Sequence, residues 1–447
     1  MAADATENID TLISARWILP VEPAGTVLEN HAIAVTGGCI QAILPLPDAE
    51  RRFTPAQRVT LDDHVIIPGL INLHTHAAMV LLRGFGDDLP LMTWLETRIW
   101  PAETRLVSPE FVFDGTLIAC AEMLRGGVTC FNDMYFFPEA AARAIVAAGM
   151  RAALGLIVID FPSPYAADGQ DYLSKGLATR DALHGESLLS FCIAPHAPYT
   201  VSDKLFEKIV TYSGELDLPI HTHVHETADE LEASVKNYGL RPLARLQQLG
   251  ALGPNLLAVH ATHLNDSEID LLAQHGCHVA HCPASNLKLA GGIAPLQRLV
   301  AAGVNVGIGT DGAASNNRLD VLGETRLAAL LAKGTAADAT AVPAHTALAM
   351  ATINAARALG IDGRTGSLVP GKRADITAID FSAPELSPCY DPVSHVIYAA
   401  GREHVSHVWV DGELLLEQGR LTHIDNAELA RKAAYWRERI TGSTIQD

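Results

Sequence analysis

The sequence predicts an α/β protein: a (β/α)8 barrel of the TIM type with a small β-sandwich domain formed by the N- and C-terminal flanks. Three observations predict it. Eight short apolar runs alternate with longer Ala/Leu-rich stretches between residues 65 and 312. Those runs are near-continuously apolar, as parallel strands covered on both faces should be. The flanks, residues 10–64 and 366–425, are instead short alternating strands broken by Gly, Pro and Asp, which is how hairpins read.

In chain order, the first flank (1–64) contributes TLISARWILP and HAIAVTGGCIQAILP to the small domain. The barrel segment (65–365) opens with VIIPGLINLHTH (65–76), then GVTCFNDMY (127–135), RAALGLIVID (151–160) and LLSFCIAPH (188–196). LPIHTHVHE (218–226), NLLAVHATHL (255–264), CHVAHCPASN (277–286) and VNVGIGTDG (304–312) complete the eight. Amphipathic stretches such as PEFVFDGTLIACAEMLRGG (109–127) and DSEIDLLAQHG (266–276) lie between them. The second of these reads as a helix opening on an Asp/Ser cap and closing at Gly276. Eight strand-then-helix units suit a closed barrel better than an open doubly wound sheet. The second flank (366–425) carries GSLVPGKRADITAID and SHVWVDGELLLEQGR, and 426–447 reads as a C-terminal helix and tail.

Composition narrows the function. The 447 residues are 49% hydrophobic and 19% charged, which excludes a disordered chain. A formal net charge of −19 repels phosphate backbones and anionic lipid, so no nucleic-acid or membrane partner is expected. No apolar run approaches the roughly 18–20 residues of a membrane span. The start, MAADATENID, lacks the basic-then-apolar layout of a secretory signal. Seven scattered cysteines without a CxxC read as reduced thiols, hence a cytoplasmic protein. A homo-oligomer, dimer or tetramer, is the default expectation.

The chemistry sits at the strand ends, where barrels of this kind place their active sites. The runs end in His74 and His76, His196, His221, His223, His225 and Glu226, His260 and His263, His281, and Asp311. One such histidine is more often a satisfied core residue than a ligand; repetition at the same end of six runs reverses that. His74 and His76, two apart on a strand, share a face. Together with one of His221, His223 or His225 and with Asp311 they describe a catalytic zinc-like divalent site, with bound water whose pKa falls to roughly 7. Spacing does not choose among the three, because all share a face. GIGTDG (307–312) also fits GxGxxG, but GAASNNRLD follows as loop and Glu324 comes too early for the acidic partner, so a dinucleotide reading ranks last. The motifs GxSxG, HExxH, GxxxxGK[ST] and PCxxC are absent. No lysine ends the fourth run to bridge two metals, which favours a single ion.

The stretches PGLINLHTHAAMVLLRG (68–84), IAPHAPYT (193–200), HTHVHETADE (221–230), VHATHL (259–264), HCPASNLKL (281–289) and GIGTDGAASNN (307–317) carry a resemblance. They resemble the amidohydrolase superfamily in its cytosine-deaminase-like, mononuclear branch, and within it the 5′-methylthioadenosine/S-adenosylhomocysteine deaminases. TGSLVPGKRADI (365–376) resembles the superfamily's return into its small β-domain. The resemblance implies metal-dependent hydrolytic deamination of a purine nucleoside at C6, with water as co-substrate. It implies one divalent ion held by His74, His76, His223 and Asp311, the HxxE element His223–Glu226 selecting His223. Zn²⁺ comes first, with Fe²⁺ or Mn²⁺ also suited to three imidazoles and a carboxylate.

By the same resemblance, Asp311 is also the base that takes a proton from water, Glu226 protonates a purine ring nitrogen, and His260 orients the attacking hydroxide. His196 and Glu226 contact the nucleoside, and Glu103 in WPAETRL pairs with the ribose 2′- and 3′-hydroxyls. Trp94 and Met92 fall where the thioether pocket would be. Relatives that handle S-adenosylhomocysteine carry an arginine after the third strand, suited to the amino-acid carboxylate. Here that loop, FPSPYAADGQDYLSKG (161–176), has none. Methylthioadenosine is therefore expected over S-adenosylhomocysteine, with adenosine slower.

Asp133 is expected as a strand-end hydrogen-bonder, His281, Ser285 and Asn286 as scaffolding around Asp311, and His225 and His263 as support or outward-facing. Two alternatives stand beside the main reading. A same-branch hydrolase of guanine, 8-oxoguanine or a chlorotriazine would have no ribose for Glu103 and His196. A metal-free scaffold would have no use for His74, His76, His223 and Asp311 together.

Overall fold

The computed structural model describes residues 6–442. The first five residues of the acidic start and the last five of the C-terminal tail lie outside them. Eight parallel strands hydrogen-bond in sequence order: β1 (Leu70–Thr75), β2 (Val128–Tyr135), β3 (Arg151–Val158), β4 (Leu189–Pro195), β5 (Ile220–Val224), β6 (Leu256–His260), β7 (His278–His281) and β8 (Asn305–Ile308). Every residue of β2 and β3 is buried, which explains why these runs show no polar alternation. The ring closes just beyond β8: Thr310 and Asp311 both donate their N–H to the His74 carbonyl, at 3.1 and 3.0 Å. Below that seam the Asn72 side chain donates to Thr310 Oγ1 and accepts from Thr310 N–H, at 2.8 and 2.9 Å. Ile71, Leu73, Cys130, Leu257 and Val259 fill the barrel's interior, plugged by Ile353 and Ala356.

The run 65–76, expected as one strand, is two. Residues Val65–Pro68 finish a long strand of the small domain, Phe53–Pro68, pairing with Trp17 and Ile18 on one side and Ile376–Asp380 on the other. Gly69 hands the chain across: its N–H donates to Asp375 O at 2.9 Å, while Leu70 N–H donates to Gly127 O at 3.0 Å. A Cβ on Gly69 would sit 2.1 Å from Thr129 Oγ1, so only glycine passes between the two sheets here. The helix Asp266–His275 ends at Gly276 as expected, but its cap is Asn265, which forms a capping box with Glu268.

The flanks join edge to edge into one eight-stranded mixed sheet, in which Phe53–Pro68 from the first flank lies beside Ile376–Asp380 from the second. The edge strand Cys39–Pro45 curls back to bridge Arg373, with Ile40 N–H donating to Lys372 O at 2.8 Å. The sheet thereby encloses its own core of Ile13, Ile33, Leu61, Ile66, Ile376 and Trp409. Arg151, at the base of β3, ties this domain to the barrel: it is 3% exposed and donates to both oxygens of Asp375, at 2.8 and 3.2 Å, and to Asp411. The helix Asn426–Thr441 packs on the barrel through Trp436, whose indole N–H donates to Asp114 at 2.9 Å.

After β1 the chain forms a helical cover in three parts: α-helical Leu91–Trp94, a π-turn over Leu95–Ile99, and α-helical Trp100–Leu106. Pro101 accounts for the π-turn. It has no N–H to give Thr97 and its ring crowds that carbonyl, so the Trp100 N–H reaches back five residues to Leu95 O. Among the described residues no helix is long and apolar enough to cross a membrane.

Candidate active site

The strand ends of β1, β5 and β8 meet at one point. His74 Nε2 and His76 Nε2 each lie 3.3 Å from Asp311 Oδ1, and His223 Nε2 lies 3.2 Å from His74 Nε2. Four ligands at about 2.0–2.1 Å around a tetrahedral ion stand about 3.3–3.4 Å from one another. His74, His76 and Asp311 thus stand at the spacing of three ligands to one divalent cation, while His223 joins them through His74 and is also grouped with His74 and His260. The opposite ring nitrogens are tied down: His76 Nδ1 donates to Met134 O at 2.6 Å, His223 Nδ1 donates to His196 O at 2.7 Å, and His74 Nδ1 meets His221 Nε2 at 2.9 Å. Those contacts fix each ring's orientation, and in His76 and His223 leave the Nε2 lone pair for a metal.

Asp311 is held as firmly. Its Oδ2 accepts from Ser285 and Ser315 hydroxyls, at 2.6 and 2.7 Å, and its Oδ1 from Gly312 N–H at 2.7 Å. Its backbone is left-handed, with φ +60°, a strain kept only where the surroundings over-determine it. Burial alone would push its carboxyl up, but the His74 and His76 imidazoles beside it hold it well below the usual range. Burial likewise opposes a proton on His76, yet Asp311 overrides it and raises that imidazole to about 9.

Glu226 lies just past β5, with its peptide gripped on both sides. Its N–H donates to Glu230 Oε2 and its carbonyl accepts from Thr262 Oγ1, both at 2.8 Å. Burial pushes the Glu226 carboxyl up. Its Oε1 stands 3.6 Å from His260 Nε2. His260, at φ +74°, stacks on His223 with ring centroids 5.3 Å apart and its Nδ1 2.8 Å from Asn286 Oδ1. Its ring nitrogen also falls within 4.8 Å of those of His74 and His223.

One cavity opens above these groups. His76, His223, Glu226, His260 and Asp311 form its floor, with Trp94, Leu95, Ile99, Trp100 and Glu103 on one wall and Ile159, Phe161, Pro162, His196 and Tyr199 on another. His74 lies fully buried beneath. Glu103 accepts a hydrogen bond from Tyr135 Oη at 2.7 Å, and burial pushes it up to about 7 against that bond. His196 is lowered to about 3 by burial, so it meets a ligand as a neutral ring. Among the described residues no lysine or arginine lines this cavity.

The nine residues singled out from sequence therefore gather at one barrel mouth, and several supporting readings need correction. His225 does not share a face with His221 and His223: its φ of +57° turns it away, and Nε2 accepts from Leu243 N–H at 3.1 Å. Asn286 supports His260 rather than Asp311. Among the described residues the His281 side chain makes no hydrogen bond to Asp311, and its Nδ1 is buried without a partner. Met92 is 37% exposed and lines no part of the cavity. Asp133 accepts from Ala77 N–H at 2.8 Å, in the strand-end role expected of it. Tyr135, Glu230, Thr262 and the inward His221 were not singled out for these contacts. Only the HETADE spacing, an acid four residues after Glu226, signals one of them.

The amidohydrolase family model matches residues 65–415. The 5-methylthioadenosine/S-adenosylhomocysteine deaminase of Teredinibacter turnerae is 47% identical over 97% of this chain and 98% of its own. The crystal structure of an adenosine deaminase from Xanthomonas campestris with bound zinc superposes with TM-score 0.97 at 49% identity, covering 98% of this chain and 100% of that one. Atrazine chlorohydrolase from Arthrobacter aurescens, at 24% identity and TM-score 0.88 over 95% of this chain and 99% of that one, shares the fold. By family match and by full-length identity, this chain belongs to the amidohydrolase family.

Proposed function

We propose that the protein hydrolyses the exocyclic amine from C6 of a purine nucleoside, releasing ammonia, with 5′-methylthioadenosine preferred over S-adenosylhomocysteine and adenosine slower. The observation that carries this is one cavity joining a metal-type donor set to a half-buried acid, Glu226, and, on its wall, a second half-buried carboxylate, Glu103. His74, His76, His223 and Asp311 would hold the ion, with Zn²⁺ first and Fe²⁺ or Mn²⁺ as alternatives. When bound, such an ion supplies a water nucleophile that ionises near neutral pH.

The chain's own groups do the rest. Asp311, kept ionised by its imidazole and hydroxyl neighbours, accepts a proton from water. Glu226, whose burial favours the neutral acid, donates a proton to a ring nitrogen and makes C6 electrophilic. His260, fixed by Asn286, orients the attacking oxygen. Asp311 passes the proton it took from water to the departing amine, which leaves as ammonia; the ring nitrogen keeps the proton from Glu226, and the hydroxyl proton returns to Glu226 as the C6 oxygen becomes a carbonyl. His196 contacts the nucleoside, and Glu103 takes the ribose hydroxyls.

The substrate preference rests on the cavity wall. Trp94, Leu95, Ile99 and Phe161 suit a methylthio group, whereas a homocysteine carboxylate would find no cation there. The names of the Teredinibacter and Xanthomonas relatives support the nucleoside reading over guanine or a triazine. All seven cysteines are free thiols, which supports a cytoplasmic setting, and a dimer or tetramer remains part of the proposal. Ammonia release by zinc-loaded protein from methylthioadenosine, S-adenosylhomocysteine, adenosine and guanine tests it. Release from guanine alone would overturn the nucleoside reading, and a higher kcat/KM for S-adenosylhomocysteine would overturn the preference.

A further inference from the structure

Glu103 poses a physical problem. Its carboxylate is half-buried against a cavity whose described lining includes no lysine or arginine, and its only side-chain partner among the described residues is the Tyr135 hydroxyl, bound to Oε1 at 2.7 Å. A carboxylate partly stripped of water and offered no cation there is served by neutral donors. Tyr135 supplies one. The remaining lone pairs face the cavity, where a ligand's hydroxyls would complete the set.

The location of Tyr135 adds a second reason. It is the last residue of β2, directly after Met134, whose carbonyl holds His76 Nδ1 at 2.6 Å. One rigid strand end thus orients a ring of the cation site through Met134 and Glu103 through Tyr135. Tyr135 is itself 4% exposed and packs edge-on against Phe136, with centroids 5.2 Å apart. Glu103 is carried on the short α-helix Trp100–Leu106, just past the π-turn of the cover. A side chain on the cover is therefore anchored by one on a barrel strand.

We propose that Tyr135 is a positioning residue for diol recognition: its hydroxyl orients the Glu103 carboxylate toward the 2′- and 3′-hydroxyls of the nucleoside. This rests on the nucleoside reading above. It makes Tyr135 a determinant of the choice between ribose and deoxyribose, with no part in the chemical step.

The test compares adenosine, 2′-deoxyadenosine and 2′,3′-dideoxyadenosine with wild type, Tyr135→Phe, Glu103→Gln and the double variant, all metal-loaded. Equilibrium binding of inosine and 2′-deoxyinosine, followed by tryptophan fluorescence, gives a readout independent of turnover. Tyr135→Phe keeps the buried ring. Losing a hydrogen bond to a charged acceptor should lower kcat/KM for adenosine roughly tenfold, mainly through KM, and weaken inosine binding similarly. The dideoxy substrate should change less than about twofold, and Tyr135→Phe should add nothing in the Glu103→Gln background.

Equal losses on all three substrates would mark Tyr135 as a packing residue and overturn the inference, as would no loss on adenosine. A wild type that discriminates the diol while Tyr135→Phe behaves like it overturns the inference alone. A wild type that deaminates none of the three, or ignores the diol, overturns the nucleoside reading together with it.

Discussion

Replacing Glu226 by Gln removes one transferable proton and almost no volume. The grip on residue 226 uses its N–H and its carbonyl, bonded to Glu230 and Thr262, and neither depends on the side chain. The carboxyl lies beside His260 at 3.6 Å and is not among the atoms clustered at His74, His76 and Asp311. Metal content and melting temperature should therefore match wild type. An ordinary glutamate with pKa about 4.3 is protonated in about 0.2% of molecules at pH 7, and each unit of upward shift multiplies that fraction about tenfold. Burial shifts Glu226 in that direction. A positioned general acid contributes about 10²–10⁴-fold, or about 2.7–5.4 kcal/mol of barrier at about 1.36 kcal/mol per decade. Ammonia release from methylthioadenosine by the Gln variant should fall by that factor in kcat/KM, with one metal per chain retained by elemental analysis. Turnover within about threefold of wild type would refute the proton-donor role. Loss of the metal would show that Glu226 belongs to the cation site instead.

Three other perturbations follow from the same geometry. His223→Ala should abolish stoichiometric metal binding while His225→Gln keeps it, since only His223 points its Nε2 into the cluster; equal retention would refute the ligand choice. Burial pushes Glu230 up to about 8, so it holds a proton in the folded state that the unfolded chain releases above about pH 4.5. Its contribution is complete below that pH and lost as pH rises to about 8, at about 1.4 kcal/mol per unit. Glu230→Gln should accordingly gain on wild type in urea unfolding across that window, and parallel pH curves would refute the shift. Arg151→Met leaves Asp375, 1% exposed, without its cation, and should cost about 3–5 kcal/mol in the same unfolding assay. A loss below about 1 kcal/mol would show that the barrel and the small sheet do not depend on that pair.

Much of the architecture was legible because the barrel writes itself as period and composition. All eight apolar runs became strands, since a strand buried on both faces admits few polar residues. The boundary inside VIIPGLINLHTH was not legible. Val65–Pro68 and Leu70–Thr75 are equally apolar, and they separate because they pair with different sheets. The cue was Pro68–Gly69, and its meaning came from Thr129, sixty residues on, whose side chain fills the space a Cβ would need. Asn265 was missed as a cap for a smaller reason: Asn265, Asp266 and Ser267 can all cap, and only backbone angles choose among them.

The site shows the same division between what alternation carries and what it does not. In HTHVHE the period of two says that residues 221, 223 and 225 share a face, and it holds only while the backbone stays extended. β5 stops at Val224, and the positive φ at His225 rotates that side chain out toward Leu243. His221, one turn of the pleat deeper, cannot reach the mouth and instead buttresses His74. His223, between the two in depth, brings its Nε2 within 3.2 Å of His74 Nε2. Depth along the strand decides which of the three brings its Nε2 to that of His74, and depth is set by where the strand ends, a fact of pairing with β4 and β6 that the spacing does not contain. Tyr135 was hidden for the converse reason. A tyrosine ending an apolar strand looks like core until Glu103, thirty-two residues away on the helical cover, is brought to its hydroxyl.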